Sequence, residues 1–391
     1  MKRIHRSMAF LLSAMLLLLG SSALAGQTNP DEARLTPVAA QNEYGSVTYP
    51  VLEGYGDPSV QEDVNRAIFE KAQVQSHLNT LNSLAAGGWG LNVSYQDALK
   101  NGILSVVVSA YGEMPNGRMG QNYTTVNYNL ADGKPITVAD LFADVEGAFA
   151  LMEQKLEDEV RPQLSGYLEN DTLTPVPRDS FFLTPDSITF YYPQDQFSML
   201  SGYSGGCTFS YYELKDYLLV SEGSVLHTLG AGDYLDIADD TAARVGEAAA
   251  AGTLPGIGAK LGDSLMDRLN EYRLLVDPDY YPGGRFFEVE APQFRGVWLL
   301  TDALTESYDQ SLVLGIRADR INLYGIQTGI TTVDAWRSAL GEPESTAELD
   351  EFTAEDYRLS QGTSDYYAFG ENRLRLHADE EGVLESVQLL R

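Results

Sequence analysis

Residues 91–142 read LNVSYQDALKNGILSVVVSAYGEMPNGRMGQNYTTVNYNLADGKPITVADLF, and their periodicity changes once. Up to residue 130, Leu91–Tyr95, Leu104–Tyr111 and Tyr123–Leu130 are alternating or apolar runs rich in Val and Tyr, separated by the turn pairs Asn101-Gly102, Asn116-Gly117 and Asp132-Gly133. Period-two runs broken by Asn-Gly and Asp-Gly predict an antiparallel meander. After Lys134-Pro135-Ile136-Thr137 the spacing lengthens, and Val138–Phe142 opens a helical stretch through Phe149, Met152, Leu156 and Val160 up to Pro162. Upstream, Ser46–Leu52 alternates as a strand. Ser59 with Glu62 then forms a capping-box pattern before a helix through Val64, Ile68, Ala72 and Val74 into Leu78 and Leu81. Downstream, Ser180–Leu183, Ser187–Tyr192 and Cys207–Tyr211 return to strands. The expectation for residues 46–225 is an α+β fold, an antiparallel sheet with helices packed on one face.

The rest of the chain is organised around that domain. Lys2, Arg3 and Arg6 precede the apolar run Met8–Leu19, and Ser21-Ser22-Ala23-Leu24-Ala25 ends it in small residues, which predicts a signal peptide over 1–25 and a secreted, extracytoplasmic protein. The run is shorter than the ~20 residues that span a bilayer, and no later apolar stretch is longer, so no transmembrane anchor is expected after cleavage. Residues 26–45 lack periodicity and read as a flexible lead-in. Residues 226–255, with the Ala-rich helix Thr241–Ala251 and then Gly252-Thr253-Leu254-Pro255-Gly256, read as a linker. Beyond it, 256–324 and 325–391 share one grammar: a Gly-Ile opening, a helix (Leu265, Leu269, Tyr272; Val333, Trp336, Leu340) and then strands. This predicts a second α+β domain built as a tandem helix-plus-sheet repeat.

The 391 residues hold 26 Lys and Arg against 56 Asp and Glu, a formal net charge of −30, with 44% hydrophobic residues. That is a globular composition whose charge argues against nucleic acid as a partner. The charge is evenly spread, with 10 basic against 26 acidic residues over 26–225 and 13 against 30 over 226–391. The single cysteine, Cys207, forms no internal disulfide and reads as a small buried hydrophobe, and a lone cysteine in a secreted chain favours a bacterial setting.

Three stretches together suggest a family. They are Tyr49-Pro50-Val51-Leu52-Glu53-Gly54 with Asn65 in the next helix; Asn127–Phe142 (NYNLADGKPITVADLF); and Phe182-Leu183-Thr184, Ile188–Tyr192 and Thr208–Leu214 (TFSYYEL). Their order and spacing resemble the extracytoplasmic module shared by RsiV-type anti-sigma factors and PdaC-type peptidoglycan deacetylases of Gram-positive bacteria, over about residues 46–218. The resemblance implies a non-catalytic domain of the cell envelope and, in RsiV-type proteins, a surface that senses lysozyme by binding it. Gly117-Arg118-Met119-Gly120 stands where that family commonly has a Gly-Ala-His-Gly-like turn, so any role of that histidine is lost here. At the level of pattern alone, the C-terminal repeats resemble small envelope and inhibitor modules of the β-lactamase inhibitor protein type.

No chemical motif competes with a binding reading. His77, His227 and His377 are isolated in sequence, neither H-E-x-x-H nor C-x-x-C occurs, and Gly202-Tyr203-Ser204-Gly205-Gly206, which has the G-x-S-x-G spacing, reads as a loop. The acidic clusters Asp239-Asp240 and Asp277-Pro278-Asp279 do not match a calcium loop. No cofactor or metal is expected. Tyrosine stands out, with 23 residues including the pairs Tyr191-Tyr192, Tyr211-Tyr212, Tyr280-Tyr281 and Tyr366-Tyr367. In a strand such pairs put one ring on each face, one in the core and one outward. The expected partner contact is the 193–206 loop with Phe197, Met199, Leu200 and Tyr203, flanked by Tyr191 and Tyr211. The expected partner is a cationic, lysozyme-like protein or peptidoglycan. The alternatives are a secreted cell-wall hydrolase acting through carboxylates and a structural or adhesive surface module.

Overall fold

The structure, a computed structural model, describes residues 33–84, 90–113, 119–164, 173, 175–193, 205–271, 274–275, 280–281, 284–289, 296–302 and 310–391. The predicted signal peptide over 1–25 lies outside them. The chain is α+β, as its periodicities predict.

The meander forms as expected. β3 (Leu91–Lys100), β4 (Ile103–Glu113) and β5 (Met119–Asn129) pair antiparallel, with Gln96 opposite Val107 and Val106 opposite Val126. Asn101 and Gly102 turn the first hairpin with φ of 52° and 81°, the paired left-handed backbone that an Asn-Gly turn adopts. The short β6 (Lys134–Pro135) extends the sheet beside β5. On the other side, β2 (Gly45–Glu53) runs parallel to β3, through Gly45–Val47 only. The crossover between them holds α1 (Pro58–Lys71) and α2 (Val74–Ser83). Asp57, one residue before Pro58, caps α1 by accepting from the Ser59 and Val60 amides, so the start is an Asp-Pro cap and not a Ser59–Glu62 box. Gln73, at φ 48°, breaks the single predicted helix in two. Val64, Ile68, Val74 and Leu81 bury one helical face against Val47, Leu52, Leu91, Val106 and Val126.

The lead-in expectation is corrected over its second half. Arg34–Asn42 forms β1, paired antiparallel with β2 through the two-residue turn Glu43-Tyr44. β1 is an edge strand, mostly solvated and containing Pro37, so it needs little apolar alternation to pair and left no pattern to read.

The opposite face of the meander is covered by a second, three-stranded antiparallel sheet of β7 (Phe181–Leu183), β8 (Ser187–Tyr191) and β9 (Gly206–Ser210). Side chains join the layers: the Phe181 amide donates to Thr125 Oγ1, the Leu183 amide to Ser105 Oγ, and Asn127 Nδ2 to the Phe181 carbonyl. Below lie α3 (Val145–Lys155) and a core with Phe142, Phe149, Met152, Phe190 and Phe209. Cys207 is buried here. α4 (Tyr211–Leu214) follows β9 at once, because Ser210 and Glu213 form a reciprocal capping box, so the predicted strand stops one residue short of Tyr211.

Residues 226–255 are not a free linker. Leu226 and Leu229, in α5 (Val225–Leu229), together with Ala231 and Leu235, join the N-terminal core. α6 (Thr241–Ala251) turns Val245 and Ala249 into the C-terminal core with Trp336 and Leu374. Alternating small and apolar residues on short helices hid this burial.

The C-terminal part is one nine-stranded sheet, ordered β10-β12-β13-β14-β20-β19-β18-β17 with β11 beside β12. The strands are β10 (Leu274–Leu275), β11 (Tyr280–Tyr281), β12 (Gly284–Val289), β13 (Val297–Thr301), β14 (Gly315–Ala318), β17 (Ser345–Leu349), β18 (Gly362–Phe369), β19 (Asn372–Ala378) and β20 (Leu384–Leu390). A separate hairpin, β15 (Asn322–Leu323) and β16 (Ile326–Gln327), precedes α8 (Val333–Leu340); α7 (Leu265–Glu271) opens the first half and α9 (Glu351–Asp356) follows β17. Each half runs from helix to meander with its last strand innermost, and β14 meets β20 antiparallel, Ile316 opposite Leu389. The bridges Ser264–Leu312 and Thr332–Val383 occupy matching places, tying each helix start to the residue leading its final strand. One sheet face carries Ile316, Leu374, Leu376, Val387 and Leu389 into the core. The other is polar.

Candidate functional site

The predicted contact residues separate on inspection. Phe197, Met199, Leu200 and Tyr203 lie outside the described residues. Tyr191 and Tyr211 are core side chains, 2% and 1% exposed, a correction of their expected place on a surface. β8 lies between the meander and the α3 layer, so both of its faces are inside. Tyr191 stacks on Tyr123 at 4.6 Å, and Tyr192, the other ring of the pair, is also buried. Tyr211 lies beside Asp186, where burial, and then the Asp186 charge, push its hydroxyl well above the usual range.

The junction of the two halves gathers Tyr234, Tyr324, Asp233 and Arg244. The two rings stack at 5.2 Å, Arg244 pairs with Asp233 and Asp240 at 2.7 Å each, and Asn322 Nδ2 donates to the Tyr234 carbonyl at 2.8 Å. These groups satisfy one another, and Asp240 of the Asp239-Asp240 cluster is held by a guanidinium. Among the described residues no group of three His, Cys, Asp or Glu is arranged to hold a metal. Asp277 and Asp279 lie outside them.

The polar face of the large sheet holds the densest chemistry. It follows from alternation: Arg373, Arg375 and His377 interleave with Leu374 and Leu376 on β19, and Ser386 and Gln388 with Val387 and Leu389 on β20. The connection 350–361 crosses this face. Arg317 on β14 donates to the carbonyls of Tyr357 and Arg358 while its Nε donates to Asp319 at 2.7 Å. His377 Nε2 faces the Ser360 carbonyl at 2.9 Å, an acceptor only, so Nε2 carries the proton. Nδ1 then accepts from Ser364 Oγ at 2.8 Å, and that oxygen accepts from Arg375 Nε at 2.9 Å. Burial, reinforced by Arg375 and Arg317, lowers the His377 pKa to about 4. Glu385 lies 3.5 Å from Nε2. The row Ser364–His377–Glu385 has the composition of a hydrolytic triad, yet Ser364 is 0% exposed and its oxygen already serves two neighbours. Its role is to hold the crossing segment.

That segment ends in the most exposed apolar group described. Phe352 on α9 is 83% exposed. Around it in sequence stand Glu348, Asp350, Glu351, Glu355 and Asp356. Asp350 caps α9 by accepting from the Thr353 amide at 2.8 Å, and hydrogen bonds from Thr353 hold its carboxyl below the usual value. Leu349, Ala354 and Leu359 anchor the helix beneath. β17 leads into it as the terminal strand of the sheet, exposed from Ser345 to Glu348. A strand edge that is terminal among the described residues is thus followed along the chain by an exposed aromatic ring flanked in sequence by carboxylates. Sequence reasoning missed this site because STAEL has little apolar content and a lone Phe in an acidic helix reads as core. The alternation RLRLHA was the available signal for the polar face above which it sits.

At the start of the first sheet a second, open cleft of about 540 Å³ lies between Arg34, Leu35, Asp97 and Leu99. Burial in its walls raises the Asp97 carboxyl, and Asp97 is the one carboxylate among its lining residues.

No family model and no curated protein matches the chain. Solved structures are similar to parts of it, among them the following three. A DUF3298 family member from Bacteroides fragilis aligns at 10% identity over 50% of this chain and 95% of its own, with a TM-score of 0.34. A DUF3298 family protein from Pseudomonas aeruginosa aligns at 14% identity over 50% and 97%, also at 0.34. A DUF4309 family protein from Bacillus subtilis aligns at 12% identity over 39% and 97%, at 0.29.

Proposed function

We propose that the chain is a non-catalytic binding protein of the bacterial cell envelope, secreted by its N-terminal leader, that takes an extended cationic segment of a partner protein along β17 and α9. The observation behind this reading is Phe352, 83% exposed beside a terminal strand and among carboxylates. An outer strand offers main-chain hydrogen bonds to a peptide laid beside it, which is how strand addition gains affinity. The ring supplies an apolar anchor, and the acidic rim favours Lys and Arg on the incoming strand. The net charge of −30 speeds encounter with a basic protein and disfavours a second copy of this chain at the same edge.

Titration with a cationic lysozyme by calorimetry tests the reading, at low salt and near 0.5 M, where the Debye length is roughly 4 Å. The expected result is saturable one-to-one binding that weakens but persists at high salt and falls at least tenfold in Phe352→Ser, whose folding is unchanged. Binding that vanishes with salt, or ignores the substitution, removes the assigned site. Absence of binding at both salts returns peptidoglycan as the ligand to be titrated next.

A further inference from the structure

The crossing segment 350–361 covers an unbalanced charge. Arg317 and Arg375 are 8% and 4% exposed. Arg317 is neutralised by Asp319. Among the described residues Arg375 meets only uncharged partners: Ser364 Oγ at 2.9 Å, Gln388 Oε1 at 3.3 Å, and the rings of Tyr357 and Tyr366, 5.5 and 5.8 Å from its guanidinium carbon. Its Nη2 makes no hydrogen bond, nor does the buried Ser386 Oγ. Arg375 pairs across the sheet with Gln388 and His377 with Ser386, so Arg375 and Ser386 are diagonal neighbours on one face, within reach of a single small group. A buried guanidinium without a counter-charge costs several kcal/mol, and a fold does not retain it for stability.

We propose that Arg375 and Ser386 form a binding site for one carboxylate, entered when the 350–361 segment lifts from the sheet. The charge balance selects the ligand class. A monoanion cancels the one unpaired positive charge, whereas a phosphate dianion leaves a buried negative charge in its place. A carboxylate accepts from Nη2 with one oxygen and from Ser386 Oγ with the other, while Tyr357 and Tyr366 shield the pair from water. The crossing segment holds a strained residue, since Arg358 sits at φ 51° and its carbonyl is one of the two that Arg317 grips. The site shares the 350–361 segment with the partner site on α9, but it is argued from Arg375 and Ser386 and not from Phe352, so the failure of either experiment leaves the other reading standing.

Thermal unfolding of the full chain and of Arg375→Met, with sodium acetate, phosphate or chloride at matched ionic strength, tests it. Acetate is expected to raise the wild-type midpoint with concentration where chloride does not. Arg375→Met is expected to unfold at the wild-type temperature or above and to lose the acetate response, and Arg375→Lys to keep a weakened one. Three results overturn the proposal: a midpoint lowered or folding lost in Arg375→Met, which makes the side chain structural; an acetate response that survives in Arg375→Met; or a larger rise with phosphate than with acetate in the wild type.

Discussion

Asp365 is fully buried and accepts four hydrogen bonds, from Trp336 Nε1 at 3.0 Å, Arg337 Nε and Nη2 at 2.7 Å each and Thr346 Oγ1 at 2.8 Å. Burial opposes its ionisation, but these donors outweigh it and hold the carboxyl below its ordinary value. Asp365→Asn leaves Arg337 without its counter-charge and turns an acceptor into a donor facing donors. Equilibrium urea unfolding is expected to show a loss of about 3 kcal/mol. His377 gives a pH signature of the same sign in a higher pH window. Its pKa falls from 6.5 to about 4 on folding, so the unfolded chain takes up the proton first and stability is lost as pH falls from about 6.5 to about 4. Below that the native state is protonated too and the loss levels off, at on the order of 3 kcal/mol. The Asp365 contribution disappears only at lower pH, as its own folded-state pKa is crossed. Urea midpoints at pH 7 and pH 4.5 are expected to differ less in His377→Gln than in the wild type, and equal differences would remove His377 as a source.

Glycines at turns show how an element docks. The β15–β16 hairpin turns at Tyr324 and Gly325, φ 51° and 96°, and a Cβ on Gly325 would stand 2.3 Å from the Asp236 carbonyl oxygen. Gly325→Ala is expected to cost about 3 kcal/mol through strain and lost docking. Gly223→Ala, at φ 83° with nothing within 4 Å, is expected to cost about 1 kcal/mol. Unfolding curves of the two variants separate space from conformation. The same scale decides what could be read in advance. The β3–β5 meander was legible because Asn101-Gly102 and the Val-rich alternation of β4 point to one answer. β1 was not, because an edge strand such as RLTPVAAQN is stabilised by backbone pairing that leaves no trace in hydropathy. The expected contact residues Tyr191 and Tyr211 failed for a related reason: alternation assigns one ring to each face but is silent on whether another layer covers the second. Phe352 escaped notice because solvent exposure of a single ring has no periodic signature.

Across the whole molecule, the surplus of acid is not concentrated in either half, so it acts as a general self-repulsion held against packing. Raising sodium chloride from about 20 mM to about 0.5 M shrinks the Debye length from roughly 20 to 4 Å, and the unfolding midpoint is expected to rise by several degrees. A fall would mean that pairs such as Arg244–Asp233 at the junction outweigh the repulsion. The two halves of the large sheet meet only where β14 lies against β20, and β20 follows every other strand in chain order. As the chain is synthesised, the other described strands of both half-sheets therefore precede the strip that joins them, residues 384–390. That strip is the zip fastener of the sheet: without it the second half lacks its innermost strand and the two panels have no shared edge.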